Sequence, residues 1–86
     1  MRDKIRRRQY VVTLHADEEM DDDELTIFDV ESAILAGAIR ERQRDRKTKE
    51  SKYLVRGKTV DGAQVVVVVA KFGRTGQLVI LTVYVE

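Results

Sequence analysis

The chain has 86 residues, of which 43% are apolar and 36% are charged, and it contains no cysteine. This length suits one small domain, residues 1–86, with a single core and a densely charged surface. The absence of cysteine excludes disulfide frameworks and thiolate metal sites. The apolar runs are too short for a signal peptide or a membrane span, so we expect a cytoplasmic protein without a membrane partner.

The net charge of +1 conceals a segregation of signs along the chain. Residues 2–8 carry five basic side chains and one acid, and residues 17–31 carry nine acids and no base. Residues 40–50 carry six basic side chains and three acids. We interpret residues 1–9 as a basic N-terminal arm and the acidic stretch as a solvated helix face.

The first third of the chain predicts one strand and two helices. Residues 10–14, YVVTL, are β-branched and aromatic and indicate a short strand. The acidic stretch that follows carries a thin apolar stripe and predicts a first helix. Thr26 and Asp29 have the spacing of a capping box, and the apolar face after them predicts a second helix that ends at Gly37.

The remaining segments have strand character. They are residues 38–46, 52–60, 64–72 and 77–86. Asp61-Gly62 is a strong hairpin signal, and residues 73–76 suit a four-residue turn. The order of elements predicts an α+β fold in which two N-terminal helices pack on one face of a four- to five-stranded antiparallel sheet.

The two turns predict the register of the last three strands. The first pairs Arg56 with Val67, and the second pairs Val67 with Thr82. One face is then apolar and should lie under the helices, with Val55, Val66, Val68, Ala70, Phe72, Val79, Leu81, Val83 and Val85. The opposite face carries a set of polar side chains, Lys52, Arg56, Lys58, Lys71, Thr82 and Tyr84.

Residues 39–47, IRERQRDRK, place an arginine at every second position, at Arg40, Arg42, Arg44 and Arg46. In a strand these side chains point to one face of the sheet. With Ile39 toward the core, that face is the one that carries Arg56 and Lys71, although a longer loop after the strand reverses the parity. A basic face suits a phosphate backbone. The alternative is that the charges only keep the sheet soluble and its edges unpaired.

Two further residues have both a functional and a structural interpretation. Lys71 is the only charge in a long apolar run, and it is either a ligand contact or an edge charge that opposes aggregation. His15 is the only histidine, and it is either a proton-transfer group or a packed or capping residue. The sequence contains no P-loop, nucleophile elbow, zinc signature or dinucleotide fingerprint.

Four segments resemble, in order and spacing, a family catalogued as a domain of unknown function (family 4258): LHADEEM, FDVESAILAG, KYLVRGKTVDG and LVILTVY. The resemblance implies a compact, RelE-like relative of the RelE and MqsR toxins and a messenger-RNA endonuclease activity that needs no metal or other cofactor. It implies RNA and a cognate antitoxin, such as an MqsA-type zinc-finger protein, as partners. Many relatives carry arginine where this chain has Glu19 and Asp23, so an RNA contact through the first helix does not carry over.

The resemblance supplies no catalytic set, so the candidate site rests on the expected basic face. The catalytic candidates are Arg56, Lys71, Tyr84, His15 and Thr82. The RNA-binding candidates are Arg40, Arg42, Arg44, Arg46, Lys52 and Lys58. Arg56 is the expected phosphate clamp, because its charge is permanent and its donors form a fork.

The sequence leaves three functional hypotheses open. The first is a ribonuclease toxin that binds RNA on the basic face, and the second is a non-catalytic module that binds RNA or a protein there. The third is a homodimer or larger oligomer in which the acidic helix of one copy meets the arginines of another. Binding and cleavage of RNA use the same residue types, so the sequence does not separate the first two hypotheses.

Overall fold

The computed structural model describes residues 1–47 and 49–86. The elements in chain order are α1 Arg2–Arg6, β1 Tyr10–Val12, α2 Leu14–Asp22, α3 Ile27–Ala36, β2 Ala38–Arg44, β3 Ser51–Lys58, β4 Val65–Phe72 and β5 Leu78–Val85. The strands form one five-stranded sheet in the order β1-β5-β4-β3-β2. The predicted α+β class is confirmed.

The predicted all-antiparallel sheet is wrong, because β1 runs parallel to β5. The other neighbouring strands are antiparallel, as expected for consecutive hairpins. Between β1 and β2 the chain crosses the sheet through α2 and α3, which carries it from one edge to the other. No short turn joins β1 to β5, so the antiparallel pairing that a hairpin imposes does not apply to these two strands.

The core lies between the helices and one face of the sheet. The helices and the loop after α2 contribute Ile5, Ala16, Met20, Leu25, Val30, Ala33 and Ile34. The sheet contributes Val55, Val66, Val68, Ala70, Leu78, Ile80 and Val83. Both predicted helices therefore cover the expected face, although Leu78 and Ile80 occupy the places predicted for Val79 and Leu81.

The register of β5 explains this exchange. The predicted β3–β4 register is confirmed, with Arg56 opposite Val67. In the next hairpin the N–H of Gly73 donates to the carbonyl of Gln77, so the turn is one residue longer than predicted. A bulge then follows in β5, and Val67 pairs with Tyr84 instead of Thr82. The longer turn and the bulge each move the following side chains of β5 to the other face of the sheet. Because the two changes cancel, the side chains after the bulge lie on the faces that the sequence predicts.

A bulge in β2 also overturns the predicted row of arginines. Ile39 pairs with Val55 and Glu41 pairs with Leu54, which leaves Arg40 as the extra residue. Beyond the bulge, Arg42 pairs with Tyr53 and Arg44 pairs with Ser51. These two arginines lie on the helix side of the sheet, opposite the face that carries Arg56. The predicted single row of four arginines is therefore wrong.

The predicted basic N-terminal arm is partly helical. Ile5, the one apolar side chain among the basic residues 2–8, is 2% exposed and belongs to the core. The guanidinium of Arg2 donates to the carbonyl of Gly37 at 3.1 Å. This contact ties α1 to the C-terminal end of α3, where basic groups are favoured by the helix dipole.

The acidic stretch, predicted to be a solvated helix face, also binds the sheet through two of its carboxylates. The Oγ1 of Thr13 caps the start of α2 by accepting from the N–H of Ala16 at 3.1 Å. Farther along, a carboxylate oxygen of Glu19 accepts from the N–H of Val83 at 3.2 Å. One helical turn later, Asp23 accepts from the N–H of Val85 at 3.3 Å. The two carboxylates therefore bind the edge of β5 that β1 is too short to cover.

Two glycines bring α3 close to β3. A Cβ added to Gly57 would collide with the carbonyl oxygen of Ala33 and lie 2.6 Å from its Cα. A Cβ added to Gly37 would also collide with that carbonyl oxygen. The helix backbone therefore lies directly on the strand backbone, and a methyl group at either glycine has no room.

We expect Gly57→Ala to lower the free energy of unfolding by on the order of 1–3 kcal/mol, because the added methyl group forces the helix and strand apart. Gly73→Ala is the matched control. A Cβ at Gly73 meets its nearest atom at 3.6 Å, an ordinary contact, so this change should stay within about 0.5 kcal/mol. Urea denaturation measures both variants, and equal losses would contradict the close packing.

The capping box at Thr26 and Asp29 is confirmed, and it also anchors a loop. One carboxylate oxygen of Asp29 accepts from the N–H of Thr26, and the other accepts from the N–H of Val60, both at 3.0 Å. These donors, that of Thr26 first, lower the pKa of Asp29 below its ordinary value. The carboxylate thus joins the start of α3 to the loop between β3 and β4.

We expect Asp29→Ala to lower the free energy of unfolding by about 1 kcal/mol, because a helix cap and a loop anchor are lost. A carboxyl whose pKa is lower in the folded state stabilises the fold above its unfolded pKa. That contribution is lost as the pH falls through the folded pKa, so the difference between parent and variant should shrink below about pH 4. Asp22→Ala, on the exposed end of α2, is the control. A difference that stays constant down to pH 2 would contradict the role of the charge.

Candidate nucleic-acid interface

The sheet face away from the helices, called here the open face, carries four of the five catalytic candidates. Arg56, Val67 and Tyr84 lie side by side on β3, β4 and β5. Thr82 lies in the next row of β5, opposite Val69. Lys71 lies opposite Lys52 on β3. The face is a valine floor with polar groups at its margins, and Val67 at its centre is only 3% exposed.

Two cations of the open face, Arg56 and Lys71, are already paired with carboxylates. Arg56 donates from Nε and Nη2 to the two carboxylate oxygens of Glu86, at 2.6 and 3.2 Å. The same contact raises the pKa of Arg56 and lowers the pKa of Glu86. Lys71 donates to Glu50 at 3.1 Å. Both side chains therefore have a carboxylate partner that the sequence did not predict.

His15 lies apart from the other catalytic candidates. It is near the start of α2, and its Nε2 is 3.2 Å from the carboxylate of Glu19. That carboxylate also accepts from the N–H of Val83, at the edge of β5. The strand β4 separates β5 from β3, which carries Arg56. The fold thus does not bring His15 and Arg56 into one site.

The RNA-binding candidates are divided between the two faces. Lys52 and Lys58 project on the open face with Arg56. Arg40, at the bulge, lines a cleft together with Arg56. Arg42 and Arg44 project on the other side, and Arg46 follows the strand in a turn. All seven residues of β2 are exposed, and β2 is an edge of the sheet.

A pair of aromatic rings lies on the helix side, beyond the helices. The rings of Tyr53 and Phe72 meet edge to face, with their centroids 6.0 Å apart. The guanidinium of Arg42 lies 5.9 Å from the centroid of Tyr53 and donates to the hydroxyl of Ser51 at 3.2 Å. This cation–π arrangement holds the arginine over the ring. We call Arg42, Tyr53 and Phe72 the aromatic platform.

The aromatic platform borders a shallow cleft of about 240 Å³. Lys49 and Arg74 contribute basic groups to the lining of this cleft, and Glu50 contributes an acid. Phe72 is 36% exposed, so its ring is accessible to a ligand. The platform therefore combines accessible rings with several cations, the two components that stack bases and bind phosphates.

Sequence reasoning missed Tyr53 and Phe72 as candidate site residues. The sequence predicts Phe72 on the apolar face under the helices and indicates no functional role for Tyr53. The confirmed register pairs Tyr53 with Ala70, which makes Phe72 its diagonal neighbour on the same face. The predicted register therefore already brings Tyr53 and Phe72 together. The sequence does not show that the helices leave this end of the sheet face uncovered.

Within the described residues, no helix has both the length and the apolar character needed to cross a bilayer. In the same part of the chain, no three histidine or acidic side chains converge as metal ligands do.

The chain is thus an α+β protein with a mixed five-stranded sheet and a basic edge strand. A family profile described as Domain of unknown function (DUF4258) matches residues 12–85. The chain belongs to this family. No curated protein and no solved structure gives a significant match.

Proposed function

We propose that the protein binds single-stranded RNA through the aromatic platform and the neighbouring arginines of β2. The observation that carries this proposal is the cation–π contact of Arg42 with Tyr53, 5.9 Å from the ring centroid, beside the exposed ring of Phe72. Bases stack on such rings, and the surrounding cations neutralise phosphates. Unpaired bases expose their faces, whereas those of a duplex are stacked on one another, so the surface suits single strands.

The distribution of charge supports the same proposal. Arg44 follows Arg42 on the same side of β2, while Lys49 and Arg74 flank the cleft. These groups lie at the end of the sheet where β2 and β4 end and β3 begins, and together they form a band that a phosphate backbone can follow. The acidic helix α2 packs on β5, away from this band. The opposite charges of the chain are thus kept at different edges of the sheet.

A second candidate function is a metal-independent endoribonuclease, the toxin of a type II toxin–antitoxin pair related to RelE and MqsR. The observation in its favour is the row of Arg56, Val67 and Tyr84, with Thr82 in the next row. Arg56 can stabilise charge on the phosphorane, and Tyr84 can stack on a base or transfer a proton. Catalysis there requires Arg56 to leave Glu86. A cognate antitoxin would then cover the valine floor of the open face.

We expect Tyr53→Leu and Phe72→Leu each to weaken binding of a fluorescent single-stranded oligoribonucleotide by at least about fivefold, because stacking is lost. Both changes keep an apolar side chain, so the fold should persist. Fluorescence anisotropy measures the affinity. Val11→Leu, an exposed apolar position on β1, is the control. Unchanged affinity in both folded variants would contradict the platform.

Arg42→Gln should weaken the same binding and reduce its dependence on salt by about 0.7 in the slope of log K against log salt, the value for one phosphate contact. Arg6→Gln on α1 makes the same change in net charge at an exposed position away from the platform. It should leave the slope nearly unchanged. Equal effects of the two variants would show that only the overall charge matters.

The second candidate is tested by cleavage of messenger RNA in the presence of a metal chelator. We expect Arg56→Gln to reduce cleavage on the order of 100-fold, the effect of losing a charge-stabilising contact. Tyr53→Leu should weaken substrate binding with a smaller effect on the rate at saturating RNA. Bound RNA without cleavage in the parent protein would overturn this candidate and leave the binding function intact.

A further inference from the structure

A second basic site lies at the opposite end of β2 from the aromatic platform. A cleft of about 300 Å³ opens where α3 ends and β2 begins. Three cationic side chains line it, Arg40, Arg56 and Lys58, while Ala36, Gly37, Gly57 and Val65 form its apolar and backbone walls. The bulge in β2 separates Arg40 from Arg42, because it moves the later arginines to the other face and leaves Arg40 near the cleft with Arg56.

Three cations in so small a cleft repel one another unless an anion lies between them. In the structure that anion is the carboxylate of Glu86, which bonds Arg56 through both of its oxygens. Arg40 also acts on this carboxylate, since it contributes to lowering the pKa of Glu86. The backbone N–H of Glu86 donates to the carbonyl of Val65 at 2.9 Å and so fixes the residue beside the cleft.

We propose that the cleft of Arg40, Arg56 and Lys58 binds a terminal phosphate group, and that Glu86 is an internal competitor that occupies the Arg56 fork until the phosphate displaces it. A bidentate carboxylate and a phosphate present oxygens to arginine with the same geometry. A terminal phosphate carries nearly two charges at neutral pH, so it matches three cations better than one carboxylate or one phosphodiester does.

The structure gives two reasons why displacement is feasible. Arg56 and Glu86 are 40% and 49% exposed in their side chains, so the ion pair is open to solvent and to exchange. Exposed ion pairs are weak because water and salt screen them. The carbonyl of Gly37, at the negative end of α3, is already bonded by Arg2, which reduces the repulsion of an anion in the cleft.

This inference is separate from RNA binding by the aromatic platform, which lies on the other side of the sheet. It shares Arg56 with the second candidate function, but its test measures phosphate binding and no cleavage. A failure of one therefore leaves the other intact.

The test is a titration of the ¹⁵N-labelled full chain with adenosine 5′-monophosphate, followed by NMR at constant ionic strength. We expect shifts at the amides of Gly37, Gly57 and Val65 and at the Nε of Arg56. Glu86→Gln removes the competing charge and should tighten binding about two- to fivefold, the range expected for an exposed ion pair. Arg40→Gln should weaken binding, while Arg6→Gln, with the same change in net charge, should not.

Two further arms identify the source of the phosphate. Inorganic phosphate should shift the same amides, whereas adenosine should not, because the phosphate group is the recognised part. An oligoribonucleotide without terminal phosphates should bind this cleft more weakly than its 5′-phosphorylated form. Equal shifts with both oligonucleotides, or equal affinities for adenosine 5′-monophosphate in the parent and Glu86→Gln, would overturn the proposal. The unlabelled variants are checked for folding by thermal denaturation.

Discussion

The helix α3 packs on β3 with its backbone almost in contact with the strand, and this close approach sets the geometry of the whole domain. The carbonyl of Ala33 lies where a side chain at Gly57 would stand, and Gly37 lets the chain leave the helix in the same narrow space. This contact fixes where the helix lies on the sheet. It therefore also fixes which part of the sheet stays uncovered, and the aromatic platform lies in that part.

The two edges of the sheet differ in whether other parts of the chain cover them. At the β5 edge, β1 pairs with three residues, and then Glu19 and Asp23 bind the next free N–H groups. Two carboxylates one helical turn apart match the spacing of alternate residues in a strand, which is why a helix can close this edge. At the other edge, β2 is exposed and rich in arginine. Its charges oppose pairing with another strand and leave its side chains available to a ligand.

Charge pairing divides the basic groups into two kinds. Arg56 and Lys71 are held by Glu86 and Glu50, and a ligand that uses them must displace a carboxylate. Arg42 contacts the ring of Tyr53 and the hydroxyl of Ser51. Neither group carries a negative charge, so these two contacts do not neutralise the guanidinium. The first kind suits a competitive, phosphate-dependent site, and the second suits a surface that is ready to bind.

Features that depend on neighbours along the chain could be predicted from the sequence. The capping box at Thr26, the strand segments and the β3–β4 register all follow from local signals, because turn chemistry and periodicity act over a few residues. Four features could not be predicted in this way: the parallel pairing of β1, the helical turn around Ile5, the bulges at Arg40 and in β5, and the ion pair of Arg56 with Glu86. Each depends on contacts between distant segments. A bulge moves every later side chain to the other face, so one extra residue at Arg40 separated the arginines that the alternation had placed together.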